Sequence, residues 1–304
     1  MNEESQNTGH GRPRLSRRGI LRAAAGFGVV SAAGVGRGAG GDPRWSVATG
    51  GEVVSSPTVV AGTLFVGGSN GRTIALDAAT GEQVWSVRTG PVPTAPLVAD
   101  ETVYVGLGSG GVVALSAATG EREWRFTAPA GFTSPATVDG QIVVASNTAV
   151  VTVLSAATGD QRQVLPTGGQ FVLSGVTTTN GTAYFGTPVS GATDETLYAY
   201  DITAGESDWL VETDGGVRTS PTVAGGTVFV GGTNGDLYAV AADTGEPVWT
   251  AGVDGTIRSS PTVADGRLFV GSDDGRLYAV GAETGERRWR AETDDQVTSS
   301  PTVA

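Results

Sequence analysis

The stretch that decides the fold is Ser55-Ser56-Pro57-Thr58-Val59-Val60, Ala61-Gly62, Thr63-Leu64-Phe65-Val66-Gly67, Asn70-Gly71, Thr73-Ile74-Ala75-Leu76-Asp77, Thr80-Gly81, Gln83-Val84-Trp85-Ser86-Val87. Four short runs rich in β-branched and aromatic residues alternate with glycine-containing turns, which is the signature of strands. The first turn recurs as Asp139-Gly140, Asn180-Gly181, Gly225-Gly226 and Asp265-Gly266. The second recurs as Gly110-Gly111, Asn234-Gly235 and Asp274-Gly275. Asn-Gly and Asp-Gly tolerate the positive φ of tight hairpin turns, so each pair of runs folds back on itself. No run carries the 3.6-residue apolar period of a helix.

Working outward, the same unit fills the chain. Ser-Pro-Thr-Val or a close variant recurs with its proline at Pro57, Pro96, Pro135, Pro221, Pro261 and Pro301, and a degenerate copy falls near Val176. All six tryptophans, Trp45, Trp85, Trp124, Trp209, Trp249 and Trp289, occupy one repeat position, and Gln163 holds it in the third copy. From Trp85 onward each stands four residues after a turn glycine, in Thr80-Gly81, Thr119-Gly120, Ala204-Gly205, Thr244-Gly245 and Thr284-Gly285. Four antiparallel strands recurring about every 40 residues make one blade of a β-propeller. The predicted fold is therefore all-β, a propeller of six complete four-stranded blades plus part of a seventh. Residues 299–303 read as the first strand of that seventh blade and Trp45-Ser46-Val47 as its last, with the middle two strands missing. That pattern predicts a truncated seven- or eight-bladed ring, or an incomplete one. A closed six-bladed ring would leave both terminal strands without partners.

The unit Ser-Pro-x-Val-x-x-Gly-x-Leu-Phe-Val-Gly-x-x-x-Gly-x-Leu-Tyr-Ala-Val-x-x-x-Thr-Gly-Glu-x-x-Trp resembles the pyrroloquinoline-quinone (PQQ)-like propeller repeat. The resemblance runs over about residues 44–304 and is sharpest over 220–249 and 260–289. This repeat is shared by quinoprotein alcohol dehydrogenases and by BamB-type outer-membrane assembly lipoproteins. It implies that each tryptophan is structural and docks on the neighbouring blade beside the Thr-Gly turn.

The N-terminal segment reads differently. Ser16-Arg17-Arg18-Gly19-Ile20-Leu21-Arg22 precedes fourteen small or apolar residues, 23–36, without a charge. A basic region ahead of a short apolar run is a secretory signal, and paired arginines in this spacing look like the twin-arginine type. Residues 1–41 are thus expected to be a signal peptide and short linker, with cleavage among the small residues 32–41, and 42–304 the propeller. The apolar run is too short for a stable transmembrane span. This places the protein outside the cytoplasm, extracellular, at the cell surface or periplasmic. Retention of the segment as an anchor is the alternative.

Composition narrows the chemistry. The 304 residues include no Cys, no Lys and one His, His10, which lies in the signal segment. Disulfides, thiol nucleophiles, histidine triads and histidine metal cages are thereby excluded from residues 42–304. Once residues 1–41 are set aside, with their six Arg and two Glu, 13 Arg face 29 acidic residues, a net charge of −16. Such a surface repels nucleic acid and anionic lipid. Acidity, arginine without lysine and few aromatics together point to a halophilic source.

Three features break the repeat. The fourth copy inserts Thr187 to Asp194 into a hairpin loop, and loops on rigid scaffolds often carry binding; neutral length variation is the plainer account. Arg218 and Arg258 each stand three residues before a repeat proline, where Val54, Pro93 and Thr298 occur elsewhere. At the mouth of a central channel two arginines could grip a carboxylate or phosphate; salt bridges to Asp214, Asp254 or Asp294 are the plainer account. Asp273-Asp274 and Asp294-Asp295 could bind Ca²⁺, but Asp274-Gly275 is already explained as a turn. No catalytic, cofactor-binding or metal-ligating set stands apart from the repeat.

The expected function is a non-catalytic exported propeller that binds or scaffolds a protein, peptide or polysaccharide partner, with no cofactor, nucleic acid or membrane span after cleavage. The alternative is a fragment of a PQQ- and Ca²⁺-dependent quinoprotein dehydrogenase. Against it stand the absence of Cys and of any tryptophan outside the repeat. The charge balance yields a test. The folded state should lose stability as salt falls from molar to millimolar, because screening of self-repulsion is lost; equal melting temperatures across that range would remove the halophilic reading.

Overall fold

A computed structural model describes residues 21–24, 29–33, 43–53, 55–128, 131, 133–148, 150–167, 172, 174–188 and 195–303. The paired arginines Arg17 and Arg18, residues 34–41 of the cleavage region and residues 189–194 of the inserted loop lie outside them. Six four-stranded antiparallel sheets succeed one another in simple meander order. The first blade comprises Thr58–Val60, Thr63–Gly67, Arg72–Asp77 and Gln83–Arg88. The sixth comprises Thr262–Ala264, Arg267–Ser272, Arg276–Gly281 and Arg287–Glu292. The degenerate fourth copy builds its blade too, opening with Thr177–Thr179 just after Val176. Asp265 and Gly266 both take positive φ, 49° and 68°, as their hairpin turn requires.

The blade strands are apolar on both faces, so their period-two alternation serves two seams. In the first blade Leu64, Val66, Ile74 and Leu76 pack backward against Trp45 and Val47. Phe65, Ala75 and Trp85 pack forward against Val92, Val103, Val105, Leu107, Val113 and Leu115 of the second. The core is thus a series of sandwiches between blades.

Five of the seams are latched by tryptophan. The indole N–H of Trp45, Trp85, Trp124, Trp209 and Trp249 donates to the carbonyl of Ala78, Ala117, Ala156, Ala242 and Ala282, at 3.2, 2.8, 2.8, 3.0 and 2.9 Å. The ring lies on the next blade's turn glycine: a Cβ on Gly81, Gly120, Gly159, Gly245 or Gly285 would approach it to between 2.5 and 2.8 Å. An alanine stands opposite each tryptophan across its own sheet, as in Ala75↔Trp85 and Ala239↔Trp249. The structural role implied by the resemblance holds for these five. Trp289 is the sixth copy and is 38% exposed.

The seam between the third and fourth blades is built otherwise. Gln163 replaces the tryptophan, and Val143 stands where Phe65 and Phe229 stand in their blades. The opposing positions of the fourth blade are enlarged to match. Phe185 replaces a valine (Val66, Val230), Tyr200 replaces Leu76 or Val240, and Ile202 replaces Ala78 or Ala242. Phe185, Tyr198 and Tyr200 stack with centroids 5.1 to 6.2 Å apart, and all join the buried cluster with Val143, Val153 and Leu165. Aromatic volume lost from one side of the seam is supplied from the other.

Near the axis, the repeated Ser-Pro-Thr is a hydrogen-bonding device. Thr58, Thr222 and Thr262 each donate through Oγ1 to the carbonyl of the next blade's Pro96, Pro261 and Pro301, all at 2.6 Å. The Ser220 N–H donates to Ser260 Oγ and the Ser260 N–H to Ser300 Oγ. One residue earlier, Ser55, Thr219 and Ser259 each exchange bonds with Gly67, Gly231 and Gly271 in the second strand. The first strands carry only three ladder residues each, and these hydroxyls bind them to the neighbouring blades.

The N-terminal region departs from expectation. Leu21–Ala24 (β1), Val29–Ala33 (β2) and Pro43–Ala48 (β3) form an antiparallel three-stranded sheet. Two strands are thus paired ahead of Trp45, in a segment whose small apolar composition reads as a signal core. Its ladder shifts register between Ala32 and Ala33, opposite Trp45. The six blades shift at the equivalent step, for example between Ala75 and Leu76. The sheet thus shares with the blades the register shift beside the strand that carries the tryptophan.

A matched pair of substitutions isolates the latch. Gly285 and Gly266 share φ +68°, but only Gly285 faces an indole, that of Trp249 at 2.7 Å. Both alanine variants bear the cost of a left-handed backbone, about 1–2 kcal/mol. Gly285→Ala should lose more stability, and the excess should vanish in a Trp249→Ala background, itself lowered by roughly 3–5 kcal/mol. Equal melting temperatures for the two glycine variants would contradict the docking.

Candidate functional site

Second hairpins lie against the loops that enter their own blades, as the Ser69, Thr233 and Asp273 N–H groups donate to Glu52, Gly216 and Thr256 carbonyls, and charged groups of the sixth blade meet there. Arg218 and Arg258 precede the first strands Thr222–Ala224 and Thr262–Ala264 of their blades. Arg258 is not free: its Nε donates to Asp273 Oδ2 at 2.7 Å. Its partner is a second-hairpin residue, not Asp214, Asp254 or Asp294. Arg218 is exposed and has no hydrogen bond or ion pair among the described residues. Of the two arginines, only Arg218 keeps an open guanidinium for an anion.

The acidic pairs are similarly engaged. Asp274 accepts from the Tyr278 hydroxyl at 2.5 Å and from Arg276 Nη1 at 2.8 Å. Arg276 also lies 3.5 Å from Glu292. Arg290 donates to Asp254 at 3.3 Å, and Asp254 receives a longer bond from Tyr278 at 3.4 Å. Asp295 closes its own loop by accepting from the Gln296 N–H at 2.7 Å. Among the described residues no group of three or more His, Cys, Asp or Glu is disposed to hold a metal ion. In the fifth blade the counterpart network is neutral at its centre, with Asn234 Nδ2 donating to Asp236 and to Tyr238.

Sequence reading missed Tyr278, Arg276 and Arg290, and it named Asp254 as a partner for Arg218 or Arg258, whereas Asp254 pairs with Arg290. A signal was present: tyrosine recurs at Tyr198, Tyr238 and Tyr278, four residues after Asn234 or Asp274 in the last two. That spacing across a hairpin brings the phenol onto the turn carboxylate or amide.

Electrostatics follow from these contacts. Burial alone would raise the Asp274 carboxyl, but hydrogen bonds from Tyr278, Arg276 and Ser272 outweigh it and hold the pKa below the ordinary value. Burial, then the bond to Asp274, raises the Tyr278 phenol. Asp274 and Tyr278 therefore stay in single protonation states across neutral pH, as a structural pair does.

Known proteins share this architecture. The family profile described as outer membrane protein assembly factor BamB matches residues 4–134, 90–191 and 193–304. The chain belongs to this family. BamB from Moraxella catarrhalis superposes with TM-score 0.78 at 20% identity, covering 95% of this chain and 89% of that one. The computationally designed Ika8 protein gives TM-score 0.78 at 17% identity, over 94% and 88%. The quinohemoprotein alcohol dehydrogenase of Comamonas testosteroni gives 0.67 at 17% identity, over 93% of this chain but 66% of that one. At such identities the superpositions speak to the BamB-like fold alone. No curated protein sequence matches the chain.

Asp274 has a readable pH signature. Its lowered folded pKa adds stability that is fully present above the unfolded carboxylate range and lost as pH falls through the folded value. Asp274→Asn should therefore melt lower than the parent at pH 6 and lose less on acidification to pH 3. Parallel pH profiles of melting temperature for the two proteins would dispose of the network.

Proposed function

We propose that this BamB-family chain is an exported, non-catalytic propeller that binds or scaffolds a protein, peptide or polysaccharide partner. The observation that carries the reading is the occupation of its tryptophans. Five of six are engaged on a neighbouring blade through both ring face and N–H. The sixth, Trp289, packs at a tilt against Phe269 of its own blade, with centroids 5.9 Å apart. Trp289 is 38% exposed, but it holds the same repeat position as the other five, and no indole stands outside that position. Of the acidic pairs that could hold Ca²⁺, Asp273-Asp274 is bound to Arg258, Arg276 and Tyr278, and Asp294-Asp295 gathers no third His, Cys, Asp or Glu among the described residues. The described residues thus do not fit PQQ and its metal, and no redox role is assigned to them. What is open at the loop end is the Arg218 guanidinium on a rigid frame, suited to polar contact with a partner. Export rests on the twin-arginine pattern at Arg17 and Arg18.

Two measurements on the full chain in molar salt test the proposal. Affinity capture from a cell-envelope extract should return one partner in fixed stoichiometry. Titration with PQQ and Ca²⁺ should leave the protein's spectrum and dye-linked alcohol oxidation unchanged; a bound-quinone band with turnover would overturn it in favour of the dehydrogenase alternative.

A further inference from the structure

Arg218 and Arg258 stand in the same backbone frame. The N–H groups of Thr233 and Asp273 donate to the carbonyls of Gly216 and Thr256, each two residues before the arginine. Val217 and Ile257, each one residue before it, form antiparallel bridges with Gly232 and Ser272. On the other side Thr219 and Ser259 exchange hydrogen bonds with Gly231 and Gly271. Val217, Thr219, Ile257 and Ser259 are all buried. Each arginine therefore leaves the backbone from a fixed point beside the second hairpin of its own blade. The strand that Arg218 enters is also held from both sides: the Gly175 N–H donates to Ser220 Oγ at 3.0 Å, and the Ser220 N–H donates to Ser260 Oγ at 2.9 Å.

The two hairpins differ at the step that faces the arginine. In the sixth blade that step is Asp273, whose Oδ2 accepts from Arg258 Nε at 2.7 Å. In the fifth blade the same step is Thr233, a neutral hydroxyl. Arg218 is exposed, and no carboxylate among the described residues pairs with it. The backbone bonds of the two frames are the same, so the open guanidinium follows from one side chain. Where the sixth blade closes an ion pair on itself, the fifth presents a positive charge and a hydroxyl. It does so in a chain whose residues 42–304 carry a net charge of −16.

Resting on the partner-binding role above, we propose that Arg218, together with Thr233, is the binding site for a single carboxylate of a peptide or protein partner. A guanidinium pairs with a carboxylate through a planar fork of N–H donors, and a threonine hydroxyl can donate a further bond. Asp273 is the intramolecular version of the bound state, since it sets a carboxylate on an arginine in this same frame. The surrounding charge selects against larger anions. One guanidinium balances one carboxylate, whereas a phosphate dianion or a run of uronates brings surplus negative charge to an acidic surface. A peptide offers its carboxylate singly, at its C-terminus or on one side chain.

Titration of the full chain with N-acetyl-trialanine at constant ionic strength tests this, read by the Nε–H resonance of Arg218 and assigned by its loss in Arg218→Gln. The resonance should move saturably with the free tripeptide and stay still with its C-terminal amide. Thr233→Asp copies the closed pair of the sixth blade into a frame that already accommodates it, and should weaken tripeptide binding at least about tenfold. The reverse copy, Asp273→Thr, should make Arg258 respond as a second site. No saturable shift in the parent, equal binding by the parent and Thr233→Asp, or equal binding of the amide would overturn the proposal. Tighter binding of inorganic phosphate would overturn the choice of a carboxylate, and tighter binding of trigalacturonate the choice of a peptide. An envelope partner captured equally by the parent and by Arg218→Gln would remove this site and leave the scaffold role standing. The expected titration with no partner captured by the parent would do the reverse.

Discussion

The contact on which the structure depends is a flat indole lying on a glycine of the next blade. Two requirements meet there. The glycine must have no side chain, since a Cβ would sit within 2.8 Å of the ring. It must also take the left-handed backbone that closes the third hairpin, φ +68° to +78° at the five latched turns. Glycine alone meets both at no steric cost. Once the ring is seated, its N–H reaches the carbonyl three residues before that glycine, so the turn supplies surface and acceptor together. The alanine opposite each tryptophan leaves room on the near side of the same sheet. The recurrence of Thr-Gly at a fixed distance before tryptophan follows from this one fit, repeated at every latched seam.

The turn itself is held by a second set of bonds. Asp77 Oδ1 accepts from the Ala79 and Thr80 N–H groups and from the Thr80 hydroxyl. Bonds from the Thr80 backbone, then its hydroxyl, then Ala79 lower the Asp77 pKa. Asp201 repeats the pattern with Thr203 and Ala204. Hydroxyls and carboxylates thus fix the shape of the seat, and apolar surface fills it. At the axis the division of labour differs. There the strands are too short to cohere by laddering alone, and Ser and Thr side chains bridge from blade to blade.

Much of this was legible in the amino-acid sequence because each element has a local cause. Proline, Asn-Gly, Thr-Gly and tryptophan each mark a definite place in the blade, and six copies made the period unmistakable. What could not be read depends on contacts between copies. The Arg258–Asp273 pair joins a blade's entry to its own second hairpin, a proximity no periodicity predicts. Phe185, Tyr200 and Ile202 look like conservative apolar variation until Gln163 is seen across the seam. Leu21–Ala24 and Val29–Ala33 carry little alternation, and Gly26 and Gly28 between them merge into a run of small residues that composition reads as a leader. The strand role of that segment emerges only from its register with Trp45.

The altered seam between the third and fourth blades bears on how such a chain can change. Tyr200 and Ile202 fill space that an indole takes elsewhere, so the fourth blade suits only a predecessor with Gln163. A duplication or exchange that moved one blade by itself would set two aromatic systems against one another, or two small residues around a void. The unit that can be copied without harm therefore begins in the middle of one sheet and ends in the middle of the next.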